Sequence, residues 1–273
     1  MPVFSFRQRR CIAITLTLIA IFAMFGIARI QTGRLADVAV LTGGTLLCCI
    51  LLLALFGMRR RIPILPLGSM STWTQVHIYM GFFTAGVYWM HVPHLIGSGI
   101  FERVLSMIFL LVTGSGFYGL YASRTLPKQL TAVEGKHRFD RVKWHRREIA
   151  DHARKLLEDR SVHVGMPVLG SFYTQHLNPF FNSRPSLAYM LMPTSGRRRK
   201  LLSDLKDLEP HLENEVRKTS ERFAALIRRR DDLDYLFALQ LRLRLWVAFH
   251  SILTLALVTG GLIHSFLAFR LAG

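Results

Sequence analysis

Acidic residues and cysteines are scarce in this chain of 273 residues. Asp and Glu together number 17 against 35 Lys and Arg, and the three cysteines are Cys11, Cys48 and Cys49. Because no C-x-x-C pair occurs, a disulfide-built scaffold and thiolate zinc sites are excluded. The polar stretch 124–244 contains no G-x-G-x-x-G motif, no Walker loop and no alternating strand pattern, so no nucleotide or flavin domain is recognisable there.

Charged residues are missing from long stretches of the chain, which is 51% hydrophobic with a net charge of +18. Five apolar segments reach the length of about 20 residues that crosses a bilayer: 11–29, 37–57, 73–94, 103–123 and 245–269. Backbone groups in lipid must be bonded within their own segment, so all five are predicted to be helices. The first segment is longer than the apolar region of a usual signal peptide, and no A-x-A-like site follows it, which favours a retained helix.

Lys and Arg fall almost wholly on one side of the predicted membrane. With the N-terminus in the cytoplasm, all of the 35 Lys and Arg except Arg29, Arg34, Arg103 and Arg270 lie on the inner side. The positive-inside rule therefore predicts a cytoplasmic N-terminus and an outer C-terminus. The basic inner face is expected to contact anionic membrane lipid, and nucleic acid is not expected as a partner.

These segments predict an all-α integral membrane protein with five transmembrane helices forming one bundle. Residues 1–123 would contain the first four helices, and residues 124–244 a mostly helical cytoplasmic insertion. Residues 245–273 would contain the fifth helix, which completes the bundle.

Within the insertion, residues 138–159 and 201–230 have helical spacing, and Val142, Ile149, Ala153 and Leu156 form an apolar stripe on the first of these segments. The aromatic and Pro-rich stretch 165–193 is expected to be a folded loop on the membrane side. The basic runs 197–200 and 228–230 are expected to be solvated or to contact lipid headgroups, with an acidic partner as the alternative.

Five of the 11 histidines lie in or beside the apolar segments: His77, His91, His94, His250 and His264. Ionisable side chains inside a membrane are costly, and their presence there indicates function. His77 and His91 are separated by 14 residues, as are His250 and His264. This spacing is nearly four helical turns, so each pair shares one helix face at two levels roughly 21 Å apart. The predicted topology sets His77 level with His250, and His91 level with His264.

Two levels with one imidazole from each of two helices predict two bis-histidine sites. Such ligation suits a low-spin, non-covalent b-type haem for electron transfer, because both axial positions are filled. Zinc or copper would require three or four ligands at one level. His94 follows Pro93 and lies off the face of His77, so an interfacial or capping role is expected for it. The alternative is a non-redox membrane scaffold or transporter whose histidines bind protons or stabilise helix contacts.

Glycines near the four histidines fit the same prediction. Gly81, Gly86, Gly260 and Gly261 would let a flat macrocycle lie close to the helix backbones. Small residues also serve close helix–helix approach, and this second role stays open for each glycine. Arg244 is predicted to contact haem propionates near the inner site.

Three groups of residues carry a resemblance to known proteins: Trp73-x-x-x-His77-x-x-x-Gly81, the following His91, and Trp246-x-x-x-His250 with His264. They resemble the di-haem membrane cytochrome b superfamily, which includes the ferric reductase and NADPH oxidase transmembrane domains and bacterial cytochrome b subunits. The stretches 114–127 and 231–246 look like a bacterial subgroup with an insertion before the last span.

This resemblance implies two b haems, at His77/His250 and at His91/His264, and electron transfer across the bilayer, in a bacterial inner membrane. It also implies redox protein subunits or a membrane quinone as partners. The chain has neither a fused flavin domain nor a Pro-Glu-Trp-Tyr signature, so an electron-transfer subunit is expected rather than a stand-alone catalyst.

Overall fold

The computed structural model describes residues 6–33, 38–59, 69–131, 142–158 and 166–272. All regular elements within these ranges are helical, as the sequence predicts. The chain divides into two compact units. The apolar unit comprises Met1–Tyr121 and Trp246–Gly273, and the insertion unit comprises Ala122–Leu245.

The apolar unit is built from α1, α2, α3, most of α4 and the last part of α10. These helices cover Phe6–Gly33, Val38–Arg59, Met70–His91, Ile100–Thr131 and Asn214–Ala272. Within the described residues, four segments are long and apolar enough to cross a membrane: Arg7–Gly33, Val38–Leu55, Ile100–Thr125 and Asn214–Arg270. The fold is therefore compatible with an integral membrane protein.

The third expected span, α3, is not among those four segments. Its 22 residues are enough to cross a bilayer core. Its first half, however, contains Ser71, Thr72, Gln75 and His77, which lower its mean hydropathy. The helix starts after Ser69, whose side chain accepts a hydrogen bond of 3.2 Å from the backbone N of Thr72.

The last helix is longer than the sequence predicts. The sequence predicts one helix over 201–230, interrupted or started at Pro210, and another over 245–269. The interruption at Pro210 is confirmed, but the rest forms one continuous helix of 59 residues, α10, Asn214–Ala272. Only the part before Pro210 is separate, as α9, Gly196–Leu208. The boundary between the two units therefore falls inside a helix, between Leu245 and Trp246.

The core of the apolar unit lies between the two expected histidine levels. Val87 and Tyr88 of α3 and Leu257 of α10 are buried in one cluster with Phe109 of α4. The ring of Tyr88 stacks on Phe109 with ring centres 4.0 Å apart, and its hydroxyl donates a 2.6 Å hydrogen bond to Leu95 O. The stack of Tyr88 on Phe109 packs α3 against α4 between the two histidine levels.

The insertion unit has its own apolar core. Its remaining elements are α5, α6, a π-helical turn, α7, α8 and a 3₁₀ turn before α10, which cover Val142–Glu158, Met166–Phe172, Tyr173–Leu177, Asn178–Asn182, Leu187–Leu191 and Glu209–His211. The predicted stripe of α5 is buried at Val142, Ile149 and Ala153. The expectation of a loop over 165–193 is wrong, because this stretch is largely helical and buries Phe172, Tyr173, Phe180 and Phe181.

A buried ion-pair cluster corrects the expectation for the basic run 228–230. Arg228 and Arg229 are exposed, but Arg230 is only 1% exposed and pairs with Asp234. Asp234 also pairs with Arg146, and Arg230 donates a 2.8 Å hydrogen bond to Ser183 O. Because an unpaired buried charge is strongly destabilising, this network is a structural element of the insertion unit.

A second part of the cluster anchors α8. The hydroxyl of Tyr189 donates a 3.3 Å hydrogen bond to the carboxylate of Asp231, which also pairs with Arg198 at 3.4 Å. Burial and the nearby Asp231 carboxylate raise the pKa of Tyr189 above its usual value. The phenol therefore stays protonated and remains a hydrogen-bond donor at neutral pH.

Candidate metal centres

Four histidines of α3 and α10 come together in two pairs. The ring centres of His77 and His250 lie 6.4 Å apart, with an angle of 70° between the ring planes. His91 and His264 show the same centre separation of 6.4 Å and an angle of 78°. The 14-residue spacing on each helix thus produces two similar sites at two levels of the apolar unit.

The separation within each pair fits a metal ion between two imidazoles. A ligating nitrogen lies about 1.1 Å from the ring centre and about 2.0 Å from a first-row metal, so in-line ligands place their ring centres about 6.2 Å apart. A direct N–H···N hydrogen bond would bring the ring centres to about 5.1 Å. The observed 6.4 Å is compatible with the metal-bridged value in both pairs, and it also lies in the range of about 4.5–7 Å for an edge-to-face contact between two rings.

Each level offers two imidazoles, and this number of ligands limits which metal groups can bind there. The described residues form no group of three or more His, Cys, Asp or Glu side chains able to hold a metal. A metal at either level must therefore bring most of its ligands with it. Haem iron does so, because the porphyrin supplies four nitrogens and leaves two axial positions for imidazoles.

Ser115 of α4 determines which nitrogen of His250 can bind a metal. Its Oγ lies 2.6 Å from Nδ1 of His250. The Ser115 hydroxyl also lies 2.7 Å from Val112 O, which can only accept. Both contacts are hydrogen bonds only if Ser115 donates to Val112 O and accepts from Nδ1–H of His250, and that arrangement would leave the Nε2 lone pair for a metal.

Thr42 of α2 has the same relationship to His91. Its Oγ1 lies 3.1 Å from Nδ1 of His91 and donates its own proton to Val38 O at 2.8 Å. Both contacts of Thr42 are hydrogen bonds only if His91 is the Nδ1–H tautomer, which would leave Nε2 available as a ligand. The adjacent Gly43 makes room for the ring, because a Cβ at this position would lie 3.0 Å from Cε1 of His91.

Aromatic side chains flank the two histidines of α10. The rings of Trp246 and His250 have centres 5.8 Å apart, and Trp246 Nε1 donates a 2.8 Å hydrogen bond to Ser115 O. Gly119 makes this arrangement possible, because a Cβ there would overlap the indole ring. At the other level, Phe101 stacks on His264 with ring centres 6.3 Å apart.

The remaining predicted residues are placed as follows. A Cβ at Gly81 would meet no atom within 4 Å, whereas Gly86, Gly260 and Gly261 pack against Ile21, Leu105 and Leu47 of neighbouring helices. His94 is exposed beyond the end of α3. Arg244 is exposed and belongs to the insertion unit.

Five residues that hold the histidines were not assigned this role from the sequence: Thr42, Gly43, Ser115, Gly119 and Trp246. The sequence identifies Trp246 only as part of a motif, and Gly119 only as part of the stretch 114–127. The signal for the others is weak, since small and hydroxyl residues are common in apolar helices. The motif Gly114-Ser115-Gly116 and the run Thr42-Gly43-Gly44 are the only local signs of these contacts.

Comparisons with known proteins find no match for this chain: no family model, no curated protein and no solved structure matches it. The resemblance to di-haem membrane cytochromes b thus remains an expectation based on the quoted motifs.

Proposed function

We propose that the chain is a membrane cytochrome b that transfers electrons across the bilayer through two b-type haems. The observation that carries the proposal is the separation of 6.4 Å between imidazole centres, found at both His77/His250 and His91/His264. The hydroxyl contacts of His250 and His91 support it, because each leaves Nε2 as the free donor. Proton binding or a helix–helix hydrogen bond would not require this repeated separation.

The four histidines would be the axial ligands of the two haems. When bound, a bis-histidine haem carries one electron at a time and has no open position for a substrate. His77 and His250 would hold one group, while Ser115 and Trp246 fix the imidazole of His250. His91 and His264 would hold the other, with Thr42 and Phe101 beside them. The open space at Gly81 would admit the edge of a flat ring.

The proposed topology has five spans, with α3 as the third. The N-terminus and the insertion unit are cytoplasmic and the C-terminus is outside, because Lys and Arg concentrate in the inner segments. The polar start of α3 then lies toward the inner surface. The membrane is proposed to be a bacterial inner membrane, and the partners are redox protein subunits or a membrane quinone.

The experiment is a reduced-minus-oxidised spectrum of the purified full-length protein. The proposal expects the α band of a b-type haem in the wild type and in His152→Ala, which changes an exposed histidine of the insertion unit. The quadruple variant with His77, His91, His250 and His264 changed to Ala should have no band. A colourless wild type would refute the proposal and favour a scaffold or transporter.

A further inference from the structure

We propose that Ser115 and Thr42 set the reduction potentials of the two haems separately. Ser115 would act on the haem of His77 and His250, and Thr42 on the haem of His91 and His264. Both are positioning residues, because each reaches the metal only through a histidine. The inference rests on the proposed function, since it assigns the tuning of the same two sites.

The direction of the hydrogen bonds carries the inference. Each hydroxyl contacts a backbone carbonyl, Val112 O or Val38 O, as well as a histidine Nδ1, and the arrangement that makes both contacts hydrogen bonds has the oxygen accepting Nδ1–H. Thr42 is only 1% exposed, and Ser115 is half-buried inside an apolar helix bundle. Hydrogen bonds in such low-dielectric surroundings are electrostatically stronger than in water.

An acceptor at Nδ1–H raises the basicity of the ligating Nε2. A more basic ligand stabilises the oxidised iron more than the reduced iron, which lowers the reduction potential. Removing either hydroxyl should therefore raise the potential of one haem. The contact of Ser115 is 2.6 Å and that of Thr42 is 3.1 Å, so the shift should be larger when Ser115 is changed.

The two effects should be separate. Each hydroxyl contacts the histidine of one level, and the levels are roughly 21 Å apart along the helices. Ser115 lies on α4 and Thr42 on α2, so different helices tune the two haems. The reduction potential of each haem could therefore be changed without altering that of the other.

The test is a spectroscopic redox titration of the purified full-length protein with Ser115→Ala or Thr42→Val. Each change should raise the potential of its own haem and leave the other unchanged. For Ser115→Ala we expect the ratio of oxidised to reduced haem at a fixed applied potential to change by up to tenfold. For a one-electron couple, a tenfold change corresponds to a shift of about 59 mV in the reduction potential. Thr84→Val is the matched control, because Thr84 is buried and donates to Met80 O at 2.7 Å on α3.

Ser115→Thr and Thr42→Ser keep the hydroxyl and should retain wild-type potentials. If Ser115→Ala loses its haem, retention and a wild-type potential in Ser115→Thr still support the hydroxyl as the cause. Unchanged potentials in both hydroxyl-free variants, equal shifts of both haems, or haem loss in Ser115→Thr as well would overturn the inference. A wild type with two haems keeps the proposed function intact in each of these cases, whereas a haem-free wild type refutes both.

Discussion

The imidazole of His91 lies between Thr42 and His264, with Thr42 Oγ1 3.1 Å from its Nδ1 and the ring centre of His264 6.4 Å away. His250 is held in the same way, by Ser115 on one side and by His77 at 6.4 Å on the other. In each case the hydroxyl contacts Nδ1 of the histidine rather than Nε2. The repetition of both contacts at two levels is what favours metal ligation over an isolated helix–helix contact.

Gly43 is expected to be essential for the site of His91. In Gly43→Ala the new Cβ would lie 3.0 Å from Cε1 of His91, so the ring must shift away from α2. We expect the overpacking to cost about 1–3 kcal/mol and to reduce occupancy of the His91/His264 haem. The measurement is the haem content and α band of the purified variant.

The neighbouring Gly44 provides the control for that variant, because a Cβ there would meet nothing within 4 Å. Gly44→Ala should have the same haem content as the wild type. If the two alanine variants behave alike, the close packing of His91 against α2 is not what holds the ring.

Gly119 is expected to have the corresponding role at the other level. A Cβ at Gly119 would overlap the indole of Trp246, which contacts both His250 and Ser115 O. Gly119→Ala should therefore destabilise the protein by about 1–3 kcal/mol and alter only the His77/His250 haem. Thermal unfolding and the α-band spectrum check this, with Gly116→Ala as control because its Cβ would meet open space. Altered spectra of both haems would argue against a local effect of Trp246.

The insertion unit is expected to depend on Arg230. Arg230→Ala leaves the carboxylate of Asp234 with one of its two arginine partners and opens a space in the core. We expect a loss of about 3–5 kcal/mol of unfolding free energy, measured by chemical denaturation of the full-length protein. The exposed neighbour serves as control, and Arg229→Ala should change stability by less than about 0.5 kcal/mol. Equal stability of the two variants would mean that the buried pair contributes nothing.

The pairing of the histidines could be predicted from the sequence because it follows from helix geometry. His77 and His91 share one face of α3, and the same 14-residue spacing recurs between His250 and His264. The charge-free segments identified four of the candidate spans in the same way. Hydropathy alone does not identify α3 as a span, because its first half is polar. The proposal includes α3 in the bundle because its His77 and His91 pair with histidines of α10.

The residues that support the histidines could not be predicted, because their contacts join distant parts of the chain. Thr42 and His91 are 49 positions apart, and Ser115 and His250 are 135 apart. The burial of Arg230 is of the same kind, since it depends on packing against Phe180 and Ser183 O. The sequence alone predicts that all of the run 228–230 is solvated. This prediction is correct for Arg228 and Arg229 and wrong for Arg230.

The most direct test of two bis-histidine sites is the haem-to-protein ratio of the wild type and of the four single His→Ala variants. We predict about two haems per wild-type chain and about one in each variant, because each site needs both of its axial ligands. His77→Ala and His250→Ala should both lose the α band of one haem. His91→Ala and His264→Ala should both lose the α band of the other haem. A wild type without haem, or different bands lost from the two partners of one pair, would contradict the account.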